Sequence, residues 1–398
     1  MSPFIGHVGT ALALIAGAYS TCAALLVRRW RQIALAPGVE RPAVSILKPL
    51  CGAEPHLLEG LRSFARQGYP QLQIVFGVRD AADPAIECVR QLQQEFPGLD
   101  TALVVDPRVH GENLKISNLI NMLPSARHPI LIISDSDVRV GSGYLDSVVS
   151  ALAPSDVGAV TCLYRGRPGP GLRSRLAALF INDWYFPAVV VSQALGDPSF
   201  MSGVTIALRR RTLEAIGGLQ VMADHVADDW LIGERVRRLG LTTVLSPVVV
   251  ETEVADESFR AHADRELRWM RTIRTVAPLG YAFMCISIFL PLAALGALMA
   301  WPSVWALAPA GLALVNRLAI HREQRHRGAA RLGYDWILIP LRDGLLFAAW
   351  VAGFLGRGIT WRGRRYRVRS GGALSTLAAE EETMTGSHIP VVPRTGSE

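Results

Sequence analysis

The feature that most constrains this chain is where its charges are missing. Val8 to Val27 holds no acidic or basic side chain, and Thr275 to Asn316 holds no Asp, Glu, Lys or Arg. Runs of this length fit a bilayer better than the interior of a soluble domain. The basic residues Arg28, Arg29 and Arg31 follow the first run rather than precede it. That order reads as an uncleaved anchor with its N-terminus outside and the next domain in the cytoplasm, not a secretory signal. The second run is long enough for two spans, with Trp301-Pro302-Ser303 as the far turn and Arg271, Arg274, Arg322 and Arg325 as basic flanks. A third apolar segment, Trp336 to Leu355, carries Arg342 and Asp343 near its middle. Charges there are costly unless they are paired or face protein. The net charge of +7 sits largely beside these runs, including Arg357, Arg362, Arg364 and Arg365. It therefore reads as membrane-flanking charge and not as a nucleic-acid surface.

Between the runs the pattern changes. From Arg41 to about Ile273 short apolar strands (Ala43–Leu47, Gln73–Val78, Ala102–Val105, Ile130–Ser134) alternate with amphipathic helices (His56–Gln67, Pro84–Phe96). Such alternation predicts an α/β domain with a mostly parallel sheet. The five cysteines form no CxxC pair, which argues against a zinc site or a disulfide scaffold and fits a reducing compartment. The expected layout is an N-terminal anchor over 1–30, a catalytic domain over 41–274, a membrane region of two or three helices over 275–369, and a disordered tail over 370–398.

Ligands of parallel sheets bind where strands end, so acids placed there are informative. Asp80 follows one strand, and Asp135-Ser136-Asp137 follows Ile130–Ile133. Two carboxylates in D-x-D spacing suit a hard divalent ion that also grips phosphate oxygens. Asp83, before Pro84, reads as a cap or turn residue. His110-Gly111-Glu112-Asn113-Leu114-Lys115 opens a helix; Lys115 there either holds phosphate or ribose, or is a solvated helix start. Neither a G-x-x-x-x-G-K-[ST] loop nor a G-x-G-x-x-G after the first strand occurs. Asp228-Asp229 opens another helix, where like-charge repulsion favours one carboxylate as a base, although helix N-termini also prefer acids for dipole reasons. In Arg265-Glu266-Leu267-Arg268-Trp269 the residues Arg265, Arg268 and Trp269 share a helix face. Arginine forks suit a diphosphate, and Trp suits stacking on sugar or lipid.

Taken in order, Val78-Arg79-Asp80, Ser134-Asp135-Ser136-Asp137, Ala227-Asp228-Asp229 and Arg265–Trp269 resemble the motifs of family 2-like glycosyltransferases, and most closely the ceramide glucosyltransferase family. Val44–Leu50, Asp83-Pro84-Ala85, Gly203 and Leu208-Arg209-Arg210 carry the same resemblance. Within it, Val105–Gly111 and Ala223–Asp229 are similar to a bacterial branch associated with hopanoid synthesis. The chain has Asp135-Ser136-Asp137 where ceramide enzymes tend to have Asp-Ser-Gly. The resemblance implies a GT-A nucleotide-diphospho-sugar transferase domain in a bacterial inner membrane, and an inverting, single-displacement reaction. A UDP-sugar would be the donor and a membrane lipid the acceptor. In that reading Asp80 meets the nucleotide base, Asp135 and Asp137 hold the diphosphate and Mg²⁺ or Mn²⁺, and Arg265 and Arg268 offset charge on the leaving group. Asp229 is the general base, and Trp269 stacks at the acceptor side.

Two rivals share parts of this pattern. A processive polysaccharide synthase carries the same motifs but needs a transmembrane channel, for which the spans look too few. An inactive nucleotide-sugar sensor would not need all three aspartate sites. Arg165–Gly171 reads as a Gly/Pro/Arg linker. After it, Leu176, Leu179, Phe180, Trp184 and Tyr185 recur at helical spacing, and they either lie in the membrane interface beside the acceptor or pack on the domain core.

Overall fold

The computed structural model describes residues 2–30, 40–196, 200–254, 258–328, 334–361 and 364–376. Arg31, Arg362 and the tail from 377 onward lie outside the described residues.

The chain starts with a long helix, α1 (Pro3–Arg29), and then enters the α/β domain. There β1 (Val44–Pro49), α2 (Leu57–Ala65), β2 (Leu72–Val78), α3 (Ala85–Glu95), β3 (Asp100–Val105), α4 (Leu114–Met122) and β4 (Ile130–Ile133) follow in strict alternation. Every residue of β1, β2 and β4 is buried, as expected for strands covered on both faces. On α2 the buried positions Leu57, Gly60, Leu61 and Phe64 recur every three to four residues, which is why this segment becomes a helix that packs on the sheet. The second half contributes β5 (Val138–Arg139), α5 (Tyr144–Leu152), β6 (Val157–Pro168), α6 (Leu172–Phe180), α7 (Phe186–Ala194), β7 (Ile206–Arg209), α8 (Arg210–Ala215), α9 (Asp228–Arg238) and β8 (Thr242–Val254). The strands form one eight-stranded sheet in the order β3-β2-β1-β4-β7-β6-β8-β5. β3, β2, β1 and β4 run parallel, whereas β7 is antiparallel to both β4 and β6.

α10 (Phe259–Val276) leads out of the sheet domain to α11 (Pro278–Phe283), α12 (Phe289–Met299), α13 (Val304–His326) and α14 (Ile339–Gly353). Among the described residues three helices are long and apolar enough to cross a membrane: Pro3–Arg29, Val304–His326 and Asp335–Gly353. α1 packs on α12 through small residues. A Cβ on Gly9 would lie 2.7 Å from the Gly296 carbonyl oxygen, and one on Gly296 would lie 2.5 Å from that of Gly9. Close backbone approach of this kind is how apolar helices associate in lipid. A second sheet, β9 (Gly358–Trp361), β10 (Arg364–Val368) and β11 (Leu374–Thr376), returns to the α/β domain, where Val226 N–H donates to the Gly372 carbonyl at 2.9 Å and Leu374 N–H to that of Asp224 at 2.7 Å.

The structure corrects three expectations and decides one that the sequence leaves open. Arg165–Pro168 are not linker but the end of β6, because their backbone pairs with Glu251–Val254 of β8. The first of the two spans expected within Thr275–Asn316 is not one straight helix. It breaks between Ile286 and Phe289 with a bend of 62°, and Trp301–Ser303 is the turn that follows. Order extends past residue 370, since Leu374–Thr376 pair with β10. Finally, Leu176, Leu179, Phe180 and Trp184 are buried rather than laid on a membrane surface. α6 runs through a π-helical turn at Ile181–Tyr185 into α7, and the apolar side chains fill space between the sheet and the membrane helices.

Candidate active site

A cavity of about 1390 Å³ opens at the carboxyl ends of β1, β2 and β4. Asp80, Lys115, Asp135, Asp137, Asp229, Arg265, Arg268 and Trp269 all line it, so every site residue expected from the sequence meets in one place.

At its centre lies a compact charge cluster. Lys115 Nζ sits 2.7 Å from Asp135 Oδ1 and 3.3 Å from Asp228 Oδ2. α4 can present Lys115 there because Asn113 caps the helix, its Oδ1 accepting from the N–H groups of Lys115 and Ile116. Although burial opposes it, Asp135 and Asp228 hold the Lys115 ammonium well above the ordinary lysine range. Asp229 Oδ2 accepts from Gly203 N–H at 3.0 Å, and Oδ1 accepts from Trp230 N–H at 2.8 Å. Burial, together with the neighbouring Asp228 charge, pushes the Asp229 carboxyl up to about 6. A carboxylate with that proton affinity is matched to base chemistry near neutral pH. Gly203 lies among these groups: a Cβ there would be 3.3 Å from Lys115 Nζ and 3.6 Å from an oxygen of each of Asp135 and Asp229.

Asp137 is held by Thr252, whose hydroxyl donates to Oδ2. Burial and repulsion from Asp135 push the Asp137 carboxyl up to about 6. Two oxygen-donor side chains that resist simultaneous ionisation fit a hard cation that draws its remaining ligands from phosphate and water. Among the described residues no group of three or more His, Cys, Asp and Glu side chains is placed to hold a metal ion by itself. A metal at this site would therefore rely on the bound donor to complete its shell.

Other residues at the site carried no sequence-level assignment. Lys48, fully buried at the end of β1, donates from Nζ to the Asp135 carbonyl and stands 4.2 Å from the Phe64 ring centroid. Burial lowers its ammonium to about 8 against the pull of Asp137, Asp135 and Glu54. Glu54 accepts from the Ser136 hydroxyl at 2.9 Å, so the D-x-D loop is tied down from two sides. Arg79 lines the cavity with its Nε buried and unpartnered. Trp361 on β9 reaches the cavity wall, where the Arg268 guanidinium lies 5.6 Å from its ring. Asp83 does act as a turn residue: it accepts from Ala85 N–H and also from Gly52 N–H, binding the loops after β1 and β2 together.

The far wall is apolar. Phe180, Trp184, Ala188 and Met284 line it, and Trp269 stacks on Phe180 with ring centroids 5.2 Å apart. Met284 and Ser287 belong to the bend between α11 and α12, so the cavity runs from the charge cluster toward the membrane helices.

A model of the family described as glycosyl transferase family 21 matches residues 8–374. A ceramide glucosyltransferase 1 of Caenorhabditis elegans is 23% identical over 236 residues, covering 59% of this chain and 50% of that protein. A ceramide glucosyltransferase of Komagataella phaffii is 33% identical over 120 residues, covering 29% of this chain and 23% of that one. The chain thus spans half the length or less of these curated relatives. Among solved structures, a mannosyltransferase from Pyrobaculum calidifontis in complex with GDP-Man and Mn2+ aligns with a TM-score of 0.52 at 23% identity, covering 87% of this chain and 99% of that one. That likeness shows the expected GT-A type of fold.

Proposed function

Since the chain belongs to glycosyl transferase family 21, we propose that it moves a sugar from a nucleoside diphosphate donor to a hydroxyl of a membrane lipid. One observation carries this reading: a single cavity joins a carboxylate and lysine cluster to an apolar wall that leads to the membrane helices. Charged groups at one end suit a sugar diphosphate, and aromatic and aliphatic groups at the other suit a lipid.

In this reading Asp229 takes the proton from the acceptor hydroxyl. The acceptor oxygen forms its bond to the anomeric carbon as the bond to the diphosphate oxygen breaks, and the nucleoside diphosphate leaves with the electron pair. Arg265 and Arg268 offset the charge that gathers on it. Asp80 and Arg79 face the nucleoside end, and Lys115 holds Asp135 toward the diphosphate. Asp135 and Asp137 would hold Mg²⁺ or Mn²⁺, which adds positive charge at the leaving group when bound. Trp269 and Phe180 form the platform beside the acceptor hydroxyl. The domain over 41–274 would face the cytoplasm of a bacterial inner membrane.

The finer reading is a UDP-sugar donor, carrying N-acetylglucosamine or glucose, and a hopanoid such as bacteriohopanetetrol as acceptor. It is supported by the stretches Val105–Gly111 and Ala223–Asp229. They meet at Gly111, where an added Cβ would lie 2.5 Å from the Ala223 carbonyl oxygen, and directly after it Glu112 N–H donates to Asp224 Oδ1 and Asn113 Nδ2 to the His225 carbonyl. Incubating membranes that contain the chain with radiolabelled UDP-N-acetylglucosamine and UDP-glucose, then identifying the labelled lipid, tests the donor and the acceptor together. Label in a long polymer rather than a single-sugar lipid would favour a processive synthase. No labelled product with either donor would sink the UDP-sugar assignment.

A further inference from the structure

Two tyrosines of the cavity have no part in the reaction as described so far. Tyr164 stands on β6 and is buried, and Tyr185 closes the π-helical turn between α6 and α7. Both line the cavity, and their rings meet with centroids 4.8 Å apart. A π turn takes in one more residue than an α-helical turn, which rotates the faces that follow it. Here Asp183 turns away to Arg317 of α13, 3.0 Å from its Nη1, while Tyr185 two residues on faces the cavity.

The pair sits where the polar and apolar ends of the cavity join. The Tyr185 hydroxyl is within hydrogen-bonding reach of Tyr164 and of Ser202. Gly203, the next residue, donates its N–H to Asp229 Oδ2 at 3.0 Å. In the other direction Ala188, Val189 and Ser192 continue from Tyr185 along α7 as cavity wall, and α7 packs on α1. A lipid whose reacting hydroxyl meets Asp229 and whose chain leaves along α7 therefore passes its headgroup across the two phenols. Three hydroxyls joined by two hydrogen bonds keep one O–H and several lone pairs for a ligand. Burial, and behind it the charges of Asp137, Asp229 and Asp135, push the Tyr164 phenol up. Burial, and behind it Tyr164 and Asp229, push up that of Tyr185. Both phenols thus stay protonated at neutral pH and can donate as well as accept.

We propose that Tyr164 and Tyr185 bind a second hydroxyl of the lipid acceptor, next to the one that reacts, so that the site selects lipids ending in a vicinal diol over lipids with a single hydroxyl. This rests on the acceptor half of the transfer reading and adds to it the residues that read the headgroup. The rings themselves would accept either lipid. The hydroxyls discriminate, because a single alcohol leaves buried phenol groups without a partner.

The test uses the full chain in phosphatidylcholine nanodiscs, with hexadecane-1,2-diol and hexadecan-1-ol as probes. Binding is followed by tryptophan fluorescence with no sugar donor present, and transfer is followed separately with UDP-N-acetylglucosamine. Wild type should bind the diol about fivefold more tightly, the scale of one net hydrogen bond. Tyr164→Phe and Tyr185→Phe keep the rings and remove the hydroxyls, and each should bring the ratio of the two affinities toward one. The ratio is taken within each variant, so a partly folded preparation does not imitate the effect. Equal binding of the two alcohols by wild type overturns the proposal, as does a diol preference that survives in both variants. So does a loss of affinity for UDP-N-acetylglucosamine in the variants with the diol preference intact, which would give the hydroxyls to the sugar. A diol preference that the variants abolish, without any transfer by wild type, would uphold the tyrosine site and remove the transfer reading instead.

Discussion

Glu266 and Arg342 meet in a two-pronged ion pair, with Arg342 Nη1 2.7 Å from Oε1 and Nη2 2.8 Å from Oε2. The pair joins α10, which carries Arg265, Arg268 and Trp269, to α14, one of the three helices long and apolar enough to cross a membrane. His262 adds a contact at 2.9 Å to Oε1. The geometry of the arginines at the cavity is therefore set partly from α14. Removing one partner of a buried pair typically costs about 3–5 kcal/mol, because the other charge is left stranded. Glu266→Ala should accordingly lower the unfolding temperature of the detergent-solubilised chain, whereas exchanging an exposed pair such as Arg62–Glu95 should barely move it.

The same carboxylate predicts an acid response. Burial works to raise Glu266, but the His262 hydrogen bond and the Arg342 charge bring it down to about 2. A carboxyl held lower in the folded than in the unfolded state stabilises the fold above its unfolded value, near 4.5. That contribution drains away as pH falls from there toward 2. Thermal unfolding followed from pH 6 down to pH 3 should show wild type losing its margin over Glu266→Gln. A margin constant over that range would mean that the pair carries no net charge coupling.

For Asp229 the shift runs the other way, and so does the expected rate. A base must be deprotonated to accept the acceptor proton, so turnover should rise as pH climbs through about 6 and then level off. Asp229→Asn keeps the shape but cannot take the proton, and should lower transfer by about 10²–10⁴-fold while donor binding, followed by calorimetry, changes little. Near wild-type turnover in the variant would remove Asp229 from the role of base.

Chelation probes the neighbouring carboxylates. EDTA should stop transfer, and Mg²⁺ or Mn²⁺ should restore it in wild type but not in Asp137→Ala. Full activity in excess chelator would make the D-x-D pair a structural element held by Thr252 and Lys48.

How far the sequence anticipates this arrangement depends on the range of each signal. Asp80, Asp135 and Asp137 were legible because each follows an apolar strand within a few residues, and strand ends of a parallel sheet converge on one crevice. Asp228, Asp229 and the Arg265–Trp269 face were legible from helix starts and helical spacing. Arg342 and Asp343 announced only that partners must exist. Glu266 and Arg317 supply them from 76 and 26 residues away, distances over which local spacing says nothing. Lys48 carries no local mark, since one lysine in an apolar strand looks like any edge residue until Asp135 is seen above it. The bend at Ile286–Phe289 is invisible to composition because apolar residues continue through it. Trp361 reaches the cavity only through β9, a strand too short to stand out among the surrounding arginines.

The last expectation concerns the apolar wall. Leu179 and Phe180 are unsuitable probes of lipid entry, since both are buried and Phe180 supports Trp269 and lies 5.3 Å from the Arg342 guanidinium. Replacing them would disturb the fold and the charged end of the cavity together. Ala188 on α7 is better placed: it is small, lines the cavity and sits on the same wall as Trp184, away from the carboxylate cluster. Ala188→Trp adds bulk where a lipid chain would pass and leaves Asp135, Asp229 and Lys115 untouched. The variant should raise the KM for the lipid acceptor by about tenfold, the scale set by loss of one good apolar contact or more. The KM for the nucleotide sugar should stay within about twofold. An equal rise in both constants would mean that the apolar wall belongs to the donor, and an unchanged lipid KM in a folded variant would route the acceptor along another path.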